Sequence, residues 1–176
     1  MRWADLEARQ PRLAELGHRR LVEPGVVLVA TIRTDGTPRI SPVEPLIMDG
    51  ELWLSMMLGS AKAKDLLRDE RILVHGIVTS RDGADGEFKV RGRARPETSP
   101  TIEARYAQRV ASDLGWQPEP GHFHLFGVQI DAVTYLRYDD GDQYLTMWPP
   151  GRETVRRRTT ATSVGDPEPV PQLLIP

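Results

Sequence analysis

Asp-Gly pairs punctuate this chain at Asp35-Gly36, Asp49-Gly50, Asp82-Gly83, Asp85-Gly86 and Asp140-Gly141, and short apolar stretches lie between most of them. Glycine supplies the positive φ that a tight turn between twisted strands needs, so such pairs predict reversals between antiparallel neighbours. The strands predicted on this basis are residues 28–33, 38–48, 51–57, 71–79, 87–95, 123–138 and 143–148. The stretch 123–138 reads either as one long strand or as two joined by a bulge near Gly127. Hairpin order, rather than strand–helix–strand order, makes the fold mainly β: a small antiparallel barrel with flanking helices.

Three helical segments accompany the strands. Residues 3–22 carry Leu6, Leu13, Leu16 and Leu21 as an apolar stripe, with Pro11 dividing the segment or opening its second half. They are expected to cover one barrel end. A second helix starts at Ala61 behind Ser60, whose side chain can cap it, and runs to about residue 68. A third opens at Ser99-Pro100, carries Ile102, Tyr106, Val110 and Leu114 at helical spacing, and stops at Gly115.

A chain of 176 residues is one domain by size, with 39% hydrophobic residues and a formal net charge of −2, so no general attraction to nucleic acid is expected. Cysteine is absent, which removes disulfides, thiolate metal sites and a cysteine nucleophile. The charged start, Met1-Arg2-Trp3-Ala4-Asp5-Leu6-Glu7, lacks the apolar core of a signal peptide, and no apolar run can span a bilayer. A cytoplasmic protein is expected. Beyond Pro149-Pro150-Gly151 the composition turns basic and then rich in Pro and Thr. The expected division is therefore a domain over residues 1–151 and an extended or disordered tail over 152–176, with Leu173, Leu174 and Ile175 suggesting that its end docks.

Charge is distributed unevenly. Three lysines stand against twenty arginines, and Lys62 and Lys64 both fall in the first turn of the helix behind Ser60. Free N–H groups already make that turn positive, so ammonium groups there are unfavourable. A bound anion such as phosphate resolves the conflict, since N–H groups and flexible cations suit it. Alternatively both side chains extend into water and pair weakly with Asp65, Asp69 or Glu70. On the strand 87–95, Lys89, Arg91, Arg93 and Arg95 share one face. That face reads either as a charged edge that discourages aggregation, the commoner use of such charge, or as an attractor for an anionic cofactor tail or acidic substrate. No aromatic residues interleave with these cations, which argues against single-stranded nucleic acid.

Other constellations are sparse. His122 and His124 alternate on a strand without a third ligand at matching spacing, so no metal site is predicted. His75 reads as a core histidine bonded to a backbone carbonyl. No hydrolase or nucleotide-triphosphatase signature is present.

The run Val29-Ala30-Thr31, Asp35-Gly36-Thr37-Pro38, Ser41-Pro42-Val43, Gly50-Glu51-Leu52-Trp53-Leu54, Gly59-Ser60-Ala61-Lys62-Ala63-Lys64 and Leu67-Arg68-Asp69-Glu70-Arg71 resembles the pyridoxamine 5′-phosphate oxidase-like split-barrel flavoproteins. The resemblance covers residues 26–79 by motif and the remainder by strand order. It implies an antiparallel split β-barrel of Greek-key type, a homodimer with FMN in a cleft between subunits, and oxidoreductase chemistry on a small substrate, with no residue singled out as catalytic acid or base. Ser60 and Lys62 fall on the family's phosphate-binding positions, with Lys64 assisting. Ser41, Pro42, Val43 and Glu44 fall on the strand along the flavin ring, Met56 and Met57 on the strand end before the phosphate turn, and Trp148 near the ring or at the dimer seam. Members that oxidise pyridoxamine phosphate end on Arg-Leu-x-Pro. Here the run is Thr146-Met147-Trp148-Pro149-Pro150, so the vitamin reaction is not expected. Two alternatives stay open: a deazaflavin of the coenzyme F-420 type, its acidic tail on the Lys89–Arg95 face, and a non-catalytic flavin or haem binder using His75, His122 or His124.

Overall fold

The computed structural model describes residues 1–83 and 85–170. The predicted docking of Leu173, Leu174 and Ile175 lies outside the described residues. Strands β1 (Val27–Ile32) and β2 (Pro38–Val43) form the first hairpin, and β3 (Pro45–Met48) and β4 (Glu51–Met57) form the second. The stretch expected as a single strand over 38–48 is broken at Glu44, because Pro45 has no N–H for the ladder and restricts the residue before it. Asp49 and Gly50 both have positive φ, 56° and 72°, as the turn between β3 and β4 demands.

Strand β5 (Arg71–Gly76) lies between β1 and β6 (Glu87–Glu97), the central place expected from its apolar sequence. Strand β7 (Phe123–Asp139) is the spine of the barrel. Its start pairs with β4, its end with β8 (Asp142–Trp148), and β6 runs along its other side. This branching splits the barrel. The strand is continuous at Gly127. The irregularity falls instead where Arg91 faces Ala132 and Gly92 faces Ile130, which leaves Asp131 as the extra residue of a bulge. At that bulge a methyl group on Gly92 would overlap the Gln129 carbonyl. Gly92→Ala is expected to cost about 2 kcal/mol, read as a lower midpoint in urea with an unchanged slope.

Beyond β8 the chain adds two strands to the sheet and forms a separate two-stranded hairpin between them. Strand β9 (Arg152–Arg156) pairs with β8, β10 (Arg158–Thr160) with β11 (Ser163–Val164), and β12 (Glu168–Pro169) returns to pair with β9. The segment expected as an extended or disordered tail thus contributes strands up to Pro169.

Helices α1 (Trp3–Arg9) and α2 (Pro11–Gly17), followed by a π-helical turn (His18–Val22), bury Trp3, Leu6, Leu13, Leu16 and Leu21 against the barrel interior. Pro11 opens the second helix, where its missing N–H has no partner to lose. Helix α3 (Ala61–Arg68) packs beside β1 and β4, and α4 (Pro100–Leu114) covers a second, smaller core made by Leu46, Met48, Trp53, Phe123 and Leu125. Tyr106 and Val110 are buried there as predicted, whereas Leu114, the last residue before the Gly115 cap, is 55% exposed. Among the described residues no helix is long and apolar enough to cross a membrane.

Candidate functional site

Helix α3 begins as its sequence requires: Ser60 is extended and accepts a bond from Ala63 N at 3.4 Å. Asp65, a turn later, locks the helix onto the barrel. Its carboxylate is buried and accepts from Thr31 Oγ1 at 2.9 Å and Arg39 Nε at 2.7 Å, with Arg68 Nη2 at 3.4 Å. The acidic groups considered as weak partners for the lysines are therefore engaged elsewhere. Asp69 binds Arg71 at 2.5 Å, Glu70 binds Arg93 and Arg95, and among the described residues no carboxylate is within ion-pair distance of Lys62 or Lys64.

Lys62 leaves α3 toward β2 and donates from Nζ to Pro42 O at 2.9 Å. Burial pushes its ammonium below the usual lysine range, and the Glu44 carboxylate opposes that shift. A partly dehydrated ammonium of this kind gains from an anionic ligand. Lys64 is exposed and lies two positions on, so it projects from a different side of the helix.

Beside Lys62 opens a cleft of about 630 Å³, within the range of small-molecule and cofactor sites. Pro42, Val43, Glu44, Met56, Met57 and Lys62, all expected from the resemblance, line it together. Ser41 and Ser60 are half-buried next to it in sequence without lining it, and Lys64 stands outside. Trp148 is not brought here: it faces Val133, ten residues along β7 from Phe123, and packs on the main core.

Sequence reasoning missed the opposite wall. Trp116, Gln117, Pro118, Glu119 and His122 come from the loop between α4 and β7, and Phe123, Ser55 and Val26 complete the lining. Gly121 N–H donates to Glu103 Oε2 at 3.1 Å and ties the loop to α4, while His122 Nδ1 lies 3.0 Å from Glu119. His122 drew notice in the sequence only as a candidate haem or metal ligand, and Ser55, the one polar residue in the apolar stretch 52–57, left a further signal.

The cationic face of β6 does not guard an edge, since β6 lies inside the sheet. Lys89 pairs with Glu87, and Arg93 and Arg95 share Glu70, so two carboxylates offset half of its four positive charges locally. His75 Nδ1 is 2.6 Å from Gly76 O, which agrees with a backbone-bonded histidine, and the ring is half-buried. Among the described residues no group of three His, Asp or Glu side chains is placed to hold a metal ion.

An antiparallel sheet that branches around one long strand, with a mixed apolar and cationic cleft at the start of a capped helix, defines a split β-barrel protein with a ligand cleft. The chain belongs to the pyridoxamine 5′-phosphate oxidase family, which it matches over residues 17–137. No curated protein matches it in sequence. Among similar solved structures, a candidate pyridoxamine 5′-phosphate oxidase from Listeria innocua has a TM-score of 0.59 at 13% identity, over 71% of this chain and 95% of its own. A heme binding protein from Mycobacterium smegmatis gives 0.55 at 21% identity, over 74% of this chain and 57% of its own. An F420 reductase gives 0.52 at 17% identity, over 66% and 94%. At such identities the likeness establishes a shared fold.

Proposed function

We propose that this chain is an FMN-dependent oxidoreductase that works as a homodimer on a small substrate. The observation that carries the reading is the meeting of Lys62 with Pro42, Val43, Met56 and Met57 in one cleft. Apolar walls suit a flat ring, and the Lys62 ammonium suits a phosphate at its end. Ser60 and Lys62 hold that phosphate, Lys64 adds long-range attraction, and backbone groups of Ser41 to Glu44 and of Met56-Met57 run along the ring. The cofactor supplies two-electron chemistry when bound, and the protein supplies position and electrostatics. Trp148 is left outside this set. Met57 and Trp116 line the cleft while 79% and 49% exposed, a state that suits a second subunit covering its mouth.

A deazaflavin is the second reading, favoured by the likeness to the F420 reductase fold. Its acidic tail would draw on the β6 cations, and Glu70 and Glu87 already occupy three of them. FMN therefore comes first. Titrating the protein with FMN is expected to give a shifted, structured flavin absorbance band, and coenzyme F-420 added afterwards is expected to displace little of it. An unchanged flavin spectrum at saturating protein would end the FMN reading, and full displacement would hand the site to the deazaflavin.

A further inference from the structure

Two hydroxyl groups stand in the apolar wall of the cleft. Ser55, opposite Leu125 on β7, is half-buried and lines the cavity. Behind it Tyr106 of α4 is 2% exposed and donates its phenolic hydrogen to Ser55 Oγ at 3.0 Å. The tyrosine ring packs against Phe123, with centroids 5.7 Å apart. Burial pushes the phenol above its usual pKa, so it remains a donor at neutral pH.

A hydroxyl has one hydrogen to give and two lone pairs to receive with. Tyr106 spends its hydrogen on Ser55, and Ser55 keeps its own. Among the described residues Ser55 Oγ has no bonding partner other than Tyr106, and the open direction from β4 is the cleft. Packing alone does not call for this pair, because an Ala–Phe pair would fill most of the same space without burying polar atoms. An acceptor on a ligand would use the remaining hydrogen.

We infer that Ser55 donates a hydrogen bond to a carbonyl oxygen or ring nitrogen at the edge of a flat heterocycle bound in the cleft, and that Tyr106 is the positioning residue that aims it. The inference rests on the ring-binding reading above and adds a side chain to a wall otherwise assigned to backbone groups. Electron uptake makes an edge acceptor of such a ring more negative, and hydrogen bonds to charged acceptors are stronger than those to neutral ones. Ser55 thus favours the reduced ring over the oxidised one.

The test is FMN binding and the midpoint potential of the bound flavin, measured on the unaltered chain, Ser55→Ala, Ser55→Thr, Tyr106→Phe and the Ser55→Ala/Tyr106→Phe pair. Ser55→Ala is expected to weaken oxidised FMN roughly fivefold, as loss of one neutral hydrogen bond does. The reduced form should weaken about fivefold further, which lowers the potential by about 20 mV at 29.6 mV per tenfold for two electrons. Ser55→Thr restores both. Tyr106→Phe shifts both in the same direction by a smaller factor, and the double variant is no weaker than Ser55→Ala alone. Unchanged affinity and potential in Ser55→Ala overturn the inference, as does a Tyr106→Phe effect that adds in full to that of Ser55→Ala. If Lys62→Ala loses FMN while Ser55→Ala binds and titrates normally, this inference alone falls. If the unaltered chain takes up neither FMN nor coenzyme F-420, the cofactor reading falls with it.

Discussion

Lys62→Ala is expected to bind FMN between roughly 10- and 100-fold more weakly than the unaltered chain, the loss that follows from removing one hydrogen bond between charged partners. Two features make Lys62 the residue to change. Its ammonium lies at the cleft wall, 2.9 Å from Pro42 O, and among the described residues no carboxylate is within ion-pair distance, so a phosphate displaces no direct salt bridge, although Glu44 lines the same cleft. Burial has removed part of its water, which leaves less hydration to displace on binding. Lys64→Ala is the control. That side chain is exposed and leaves the helix on another side, so screening limits its effect to about threefold or less. Fluorescence quenching of FMN at fixed ionic strength measures both. Equal affinities for Lys62→Ala and the unaltered chain, or a larger loss in Lys64→Ala, would remove the phosphate from this helix start.

Asp65→Ala is expected to destabilise the fold by about 3 kcal/mol, at the lower end of what breaking a buried ion pair costs. The Asp65 side chain is 5% exposed while those of Arg39 and Arg68 are 27% and 38% exposed, so the stranded guanidinium groups regain some water and the full penalty is not reached. Thr31, itself 1% exposed, loses its acceptor as well. Because these bonds hold α3 to β1 and β2, the same change loosens the turn that carries Ser60 and Lys62, and FMN affinity should fall with stability. Burial by itself would raise the Asp65 pKa, but the hydrogen bonds from Arg39 and Thr31, the Arg39 charge and the bond from Arg68 together lower it. A carboxylate with a depressed folded-state pKa stabilises the fold fully above its unfolded pKa and loses that contribution as pH falls through the folded value. The gap in unfolding free energy between the unaltered chain and Asp65→Asn should therefore be full at neutral pH and close below the ordinary carboxylate range. Urea unfolding of both proteins across acid pH measures the gap, and one that stayed constant would show that the Asp65 charge contributes nothing.

Much of the barrel was legible because its signals are local. The turn at Asp49-Gly50 and the cap at Ser60 each depend on residues a few positions apart, and the structure has both. Strand β4 forms as well, but Leu52, Trp53 and Leu54 are buried in succession, because one face packs on the main core and the other on the core under α4. The break at Glu44 was equally local, since Pro45 announces it, yet the expected strand ran through it. The charged face of β6 shows the opposite case. Its alternation was plain, but its place inside the sheet depends on pairing with β5 and with a strand more than thirty residues later. An interior strand has no edge to protect, and its cations meet Glu70 and Glu87 instead.

By itself the sequence determined the hairpin architecture and the capped helix with its two lysines, because turn geometry and capping act over a few neighbouring bonds, whereas the expectation of a wall along β2 and β4 came from the family resemblance. Tertiary structure alone decided which carboxylate neutralises which cation. It also brought the loop of Trp116 and His122 across from β2 and set Tyr106 behind Ser55, 51 residues away in the chain. Contacts over such separations come from strand register and helix packing, which place groups in space without leaving a pattern in the residues between them.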